Sequence, residues 1–226
     1  MRGCTLGSSA GIADIPANAP PVVRELTERT GLHDFTIQPT VDGITTIWIP
    51  KQSLRGILRY LKSQAISPYA LLFDLTAIDE RLRCHRQGLP GSEFTVVYHL
   101  LSFERNEDIR IKIALFETSL LLPTISDIWP SANWYEREVY DMFGITFSGH
   151  PDLRRLLMWE QYKEGFPLRK DFPLRGRFSR SEQLRQALAA NPEARYSKEE
   201  LSIADAFEDL PDDMVRRITG GERTGE

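Results

Sequence analysis

The chain has 226 residues, 41% hydrophobic and 27% charged, with a net charge of −4, which is the composition of an ordinary globular protein rather than a disordered, collagenous or nucleic-acid-coating one. Two cysteines, Cys4 and Cys84, exclude a disulfide framework and are too few for an iron–sulfur cluster, which takes about four. No apolar run approaches the ~20 residues of a membrane-spanning helix, and the small, polar start over 1–19 has no apolar stretch of a secretory signal.

In chain order, residues 1–19 read as a disordered leader. Pro20-Pro21, then Val22 to Leu26, then Gly31 read as a short helix with proline at its start and glycine past its end. Phe35 to Gln38 and Ile44 to Ile49 are β-rich runs around an Asp42-Gly43 hairpin signal. Over 51–65, Leu54, Ile57, Leu58 and Leu61 form one apolar helix stripe, ended by Pro68. Leu71 to Leu75 reads as a buried strand, and the charged stretch 79–92, with Gly88, Pro90 and Gly91, as a loop.

Phe94 to Phe103 is strongly β. After the turn at Arg105 to Asp108, Ile109, Ile111, Ile113 and Leu115 alternate with Arg110 and Lys112, a strand with one buried face. Leu120 to Pro123 leads into a short predicted helix over Ile125 to Trp129, stopped by Pro130. A longer helix follows from Ser131 to Phe143. Ser131 or Asn133 caps it, acids crowd its first turns, and Gly144 ends it. Tyr135, Val139, Met142 and Phe143 make its buried stripe. A short strand over Ile145 to Phe147 completes the pattern. The predicted class is α+β: a single domain over 20–158, with a largely antiparallel sheet and helices on one face.

The remaining chain divides by charge. In 159–180, Pro167 and Pro173 flank Leu168-Arg169-Lys170-Asp171, which predicts an extended, basic interface segment. Residues 181–226 are acidic and read as a flexible or partner-wrapping tail.

Several constellations invite sharper readings. Glu136, Glu138 and Asp141 resemble a paired-carboxylate catalytic set. Glu136 and Glu138 are two apart on the helix, however, and point to different faces. A structural network in which these acids and Arg137 pair with Arg154 or Arg155 is the favoured alternative to a stand-alone acid/base hydrolase. His150 lies in a Gly-His-Pro turn with only Asp152 nearby, too little for a metal site; it is expected to bond locally or contact a partner. The basic run Arg154, Arg155, Arg169, Lys170, Arg175, Arg177 and Arg180, interleaved with Trp159, Tyr162, Phe166 and Phe172, has the composition of a single-strand binder. The same residues are enriched at protein interfaces, and with no RNA-binding fingerprint in the chain the protein interface is favoured over nucleic acid.

Glu136-Arg137-Glu138, Asp141, Met142-Phe143, His150 and Arg154 together match the signature of a known family. Asp152 to Arg155, Pro167 to Pro173, the stretch from Ala70 to Arg86 and Tyr98-His99-Leu100 are similar to it as well. The chain resembles the C-type, or 30-kilodalton-type, subunit of the proton-translocating NADH:quinone oxidoreductase, respiratory complex I, over roughly 30–180. The resemblance implies a non-catalytic scaffold in the peripheral arm, against the larger D-type subunit beside the quinone site and near subunits of the B and I types. It implies no cofactor in this chain, with FMN and iron–sulfur clusters held by partner subunits. It also implies a place at the cytoplasmic face of the bacterial inner membrane, touching the membrane only through the complex. Glu136, Arg137, Glu138, Asp141, His150, Arg154, Arg155, Arg169, Lys170 and Asp171 are then the family signature and the expected partner interface. Some relatives fuse the C-type and D-type subunits; no D-type sequence follows here, so the separate form is expected. The rival within the superfamily is a homologous subunit of a membrane-bound hydrogenase or of a ferredoxin- or F420-linked complex.

Overall fold

A computed structural model describes residues 19–31, 33–83, 88–159 and 162–174, together with Arg185 and Ala189. The chain divides into two units, Met1–Arg175 and Gly176–Glu226, and every element below belongs to the first. Apart from Arg185 and Ala189, the acidic tail lies outside the described residues, as do Cys4, Cys84, His85 and the leader up to Asn18; Ala19, the last leader residue, is buried.

Helix α1 (Pro21–Thr30) starts with proline in its first turn and ends at Gly31, whose φ of 65° places it in the left-handed region while its N–H bonds back to Thr27. Strands β1 (Thr36–Gln38) and β2 (Thr45–Trp48) form an antiparallel hairpin, with the Ile44 N–H donating to Asp42 at the turn. Helix α2 (Leu54–Ser63) buries the predicted stripe of Leu54, Ile57, Leu58 and Leu61 completely or nearly so. Strand β3 (Leu71–Asp79) runs four residues beyond the predicted Leu75. Its alternating burial shows a strand with one face inward rather than one buried on both faces. Strands β4 (Phe94–Ser102) and β5 (Glu107–Leu115) form the expected hairpin, which turns at Asn106 with positive φ.

The five strands lie in the order β1-β2-β5-β4-β3. Three of the four pairings are antiparallel; β2 and β5 run parallel, because the chain crosses from one to the other through α2, β3 and β4. The sheet is therefore mixed but largely antiparallel. One apolar core joins α1 (Val22, Val23, Leu26), α2 and the inward residues of the sheet, including Leu72, Leu75, Tyr98, Leu100, Ile109, Ile111 and Ile113. Each such aliphatic side chain contributes roughly 1.5–3 kcal/mol by leaving water. Glu25 on α1 ties this layer together: it accepts the Tyr60 hydroxyl, the Ile66 N–H and the Arg105 guanidinium.

The predicted helix over Ile125 to Trp129 is a single turn, with the Ile128 and Trp129 N–H groups both donating to the Ile125 carbonyl. Pro123 and Pro130 leave too few residues between them to propagate a helix beyond its costly nucleus. Before that turn lies β6 (Leu121–Pro123), not foreseen as a strand. It pairs in parallel with β7 (Thr146–Ser148), which follows helix α3 (Ala132–Phe143). The start of α3 has no side-chain cap: Ser131 is itself helical, no acid lies in the first turn, and backbone bonds from Ala132, Asn133 and Trp134 lead the Trp129-Pro130-Ser131 turn into the helix. Its end matches the expectation, with Gly144 at φ 75°. Helix α3 lies along β3, the edge strand, and the Tyr135 hydroxyl donates to the Phe73 carbonyl there. That contact covers an edge that would otherwise offer free backbone groups.

Candidate functional site

The three acids of α3 have three different environments. Glu138 is exposed. Glu136 has no accessible surface; it accepts the Ile125 N–H at 2.7 Å and the Thr124 hydroxyl at 2.5 Å. Asp141 is equally buried and serves as a clamp. Its Oδ2 accepts three consecutive backbone N–H groups, from Leu156 (3.1 Å), Leu157 (2.7 Å) and Met158 (2.8 Å), while Oδ1 takes Arg155 Nη1 at 2.6 Å. Successive N–H groups turned toward one anion form a nest, and the arginine adds a charge-assisted bond.

The expected network of α3 with Arg154 and Arg155 is thus present in an altered form. Asp141 pairs with Arg155. Among the described residues Arg137 pairs with no acid; it donates to the backbone carbonyls of Arg154 (3.2 Å) and Arg155 (3.1 Å), and stacks over Trp134. Arg154 turns its own guanidinium to Asp152 at the surface. One face of α3 therefore holds residues 154–158 by both donors and acceptors. The His150 side chain is buried: its Nδ1 accepts the Asp152 N–H, so Nε2 carries the proton and donates to the Asn133 carbonyl. That local bonding is one of the two roles foreseen for it.

A second clamp holds residues 166–172. Asp79, at the end of β3, accepts both Nε and Nη2 of Arg81 and the N–H groups of Arg81 and Lys170. Burial alone would raise the Asp79 carboxyl, but these donors hold it below its usual range. Arg81 reaches on to Asp171 at 2.8 Å. Arg169 donates to the Phe143 carbonyl at 2.6 Å and to Glu117 at 3.1 Å, and lies between the rings of Phe94 and Phe166. Arg155 stacks on Tyr162 and Phe166. Gly144 makes this packing possible: a Cβ there would fall 2.5 Å from the Phe166 ring and 2.9 Å from Arg169.

The stretch expected to be extended is therefore folded into turns, with Arg169 N bonding Phe166 O and Phe172 N bonding Arg169 O. The flanking prolines allow this, and the arginine–aromatic contacts within the chain favour it. Arg169 and Asp171 are engaged internally, while the Lys170 side chain faces solvent. Tyr162 and Phe166 stack on the chain's own arginines rather than offering bare ring faces. Sequence reasoning missed Asp79, Arg81, Glu117 and Thr124. An acid at the last position of a strand, two residues before an arginine, was the available signal for the first pair.

Among the described residues, no three or more His, Cys, Asp or Glu side chains are grouped to hold a metal ion, and no helix is long and apolar enough to cross a membrane. Fold and site define an α+β domain whose buried carboxylates fasten its own downstream segment. The family model described as the respiratory-chain NADH dehydrogenase 30 Kd subunit matches residues 47–178, more than half the chain. The chain belongs to that family. It is 57% identical over 158 residues to the fused C/D subunit of the NADH-quinone oxidoreductase of Methylococcus capsulatus, covering 70% of this chain and 27% of that one. With the fused C/D subunit of Pseudomonas paraeruginosa it shares 51% identity over 171 residues, covering 76% of this chain and 28% of that one. The chain thus spans about a quarter of the length of these curated relatives. Among solved structures it is similar to the trypsin-resistant fragment of Nqo5, with 29% identity and a TM-score of 0.50 over 58% of this chain and 97% of that one. It is also similar to a chain of the membrane-bound sulfane sulfur reductase, an archaeal respiratory membrane complex, with 25% identity and a TM-score of 0.54 over 68% of this chain and 84% of that one.

Proposed function

We propose that the chain is the C-type component of a proton-translocating NADH:quinone oxidoreductase, a scaffold in the peripheral arm that braces the D-type subunit beside the quinone site. The observation that carries this reading is the identity of 51–57% with fused C/D chains, in which the two components are one polypeptide. Components joined in one chain in those relatives are natural partners here. The site geometry agrees with a mechanical role. Asp141 and Asp79 are spent on internal clamps, Glu136 on the turn after β6, and the three acids of α3 do not converge on a common point where a substrate would sit. Electrons then pass through FMN and iron–sulfur clusters of other subunits, those of the B and I types among its neighbours, and contact with the cytoplasmic face of the inner membrane comes through the complex.

The likeness to the archaeal sulfane sulfur reductase favours a second reading, the corresponding subunit of a related ferredoxin- or hydrogenase-type complex. The higher identity with the NADH-linked relatives favours the first. Affinity purification of a tagged chain from native membranes, followed by mass spectrometry, separates them. Recovery of the D-type subunit with NADH-oxidising subunits supports the proposal; recovery of hydrogenase-type subunits, or of the chain alone, overturns it.

A further inference from the structure

Among the described residues, no lysine or arginine pairs with Glu136; its hydrogen-bond donors are the Thr124 hydroxyl and the Ile125 N–H. Its Oε2 lies 2.5 Å from Thr124 Oγ1, and Thr124 Oγ1 lies 2.9 Å from Ser126 Oγ and accepts the Ser126 N–H at 3.1 Å. Ser126 is half-buried and is followed in the chain by the exposed Asp127. The carboxyl is thus linked by a short file of hydroxyls to a partly exposed residue. A threonine hydroxyl has one proton and two lone pairs. When Glu136 is ionised, Thr124 donates to it. When Glu136 is protonated, its O–H donates to Thr124 Oγ1, and Thr124 donates onward to Ser126. Every bond in the file is satisfied in both directions.

The groups around it leave the proton to this file. From β4, the Tyr98 hydroxyl is buried with no hydrogen-bond partner among the described residues, and burial together with the charge of Glu136 keeps it well above the ordinary phenol range. From the turn after β7, His150 Nε2 stands 3.9 Å from Oε2 but donates to the Asn133 carbonyl. From α2, Arg55 is committed to Asp127 and the Thr124 carbonyl; its charge and that of Asp127 act on Glu136 in opposite senses. On α3 itself, Arg137 binds backbone carbonyls, Glu138 is exposed and Asp141 is paired with Arg155.

We propose that Glu136 is a reversible proton-binding site of the folded chain, exchanging its proton with solvent through the Thr124 and Ser126 hydroxyls and reversing the direction of that hydrogen-bond file as it does so. Burial pushes the carboxyl up to about 7, against the pull of the Thr124 and Ile125 donors, so both states are populated at neutral pH. The site is a property of this chain whatever its partner.

The test is carbon-13 NMR of the full chain labelled at glutamate carboxyls, titrated from about pH 5 to about pH 9. One carboxyl is expected to titrate with a midpoint near 7 and to vanish in Glu136→Gln. Thr124→Val removes a donor to the ionised form and is expected to raise the midpoint by about one unit; Thr124→Ser restores it. If every glutamate titrates below about pH 5, or the Thr124→Val midpoint does not move, the proposal is overturned. Infrared spectra of the unaltered chain test the site without any variant. The band of a neutral carboxylic acid must persist at about pH 6 and disappear by about pH 8.5; its absence at the lower value refutes the site.

Discussion

Removing the Asp141 carboxylate should detach the segment after β7 from α3. In Asp141→Ala, three N–H groups lose their acceptor and the Arg155 guanidinium, whose side chain is only 14% exposed, loses its counter-charge. Breaking a buried charge pair by removing one partner costs about 3–5 kcal/mol. The three freed N–H groups would add to that if they stayed dry, but the segment carrying them is half-exposed, so water takes up part of the loss. A destabilisation of about 3–5 kcal/mol is therefore expected. Asp141→Asn keeps the shape and one acceptor oxygen and should cost about half as much, since the charge-assisted part is roughly half of such a bond. Urea denaturation of the full chain measures both, and trypsin reports the local effect: cleavage after Arg154 and Arg155 should accelerate before global unfolding does. Should Asp141→Ala lose less than about 1 kcal/mol, the level of an ordinary surface change, with cleavage unaltered, the clamp does not hold the segment.

Gly144→Ala places a Cβ at positive φ and 2.5 Å from the Phe166 ring; a loss of about 1–3 kcal/mol on thermal denaturation is expected. Arg81→Met removes the donors that hold Asp79 low. In the unaltered chain, the contribution of Asp79 is present above its unfolded value of about 4 and is lost as pH falls through its lower folded value. The variant should therefore lose that acid-side dependence in denaturation measured from about pH 5 downward. Glu136 acts in the opposite sense. Its folded value is raised, so its contribution is complete below about 4.5 and is lost as pH rises toward about 7, a decline on the order of 3 kcal/mol that Glu136→Gln should abolish. For the proposed partner surface, Lys170→Glu should weaken recovery of the D-type subunit without lowering the stability of the isolated chain. Arg169→Glu should lower both, because Arg169 also holds the Phe143 carbonyl and the Phe94 and Phe166 rings.

The parts of this structure that repeat were legible in the sequence. The β4–β5 hairpin follows from strict alternation, and α2 from four leucines and isoleucines at helical spacing. Gly144 and Gly31 mark helix ends because both need a left-handed backbone. Strand β6 was not legible, since three residues show no period and its pairing depends on β7, more than twenty residues later. The parallel β2–β5 pairing likewise depends on a crossover that no local window contains. In the site, the Asp141–Arg155 pair was within reach of pattern reasoning. The burial of Glu136 was not, because it depends on Thr124 and Ile125 coming back over α3. The proline-flanked run around Arg169 was expected to be extended; it is compact because Phe94, Phe143 and Asp79, all distant in sequence, supply its contacts.

The proposed scaffold role requires partnership with the D-type subunit, and the direct measurement is native mass spectrometry of complexes purified from membranes through a tag on this chain. A complex containing the D-type subunit and NADH-oxidising subunits, lost in proportion when Lys170 is reversed in charge, is the predicted result. Recovery of the chain free of its D-type partner from intact membranes would contradict it.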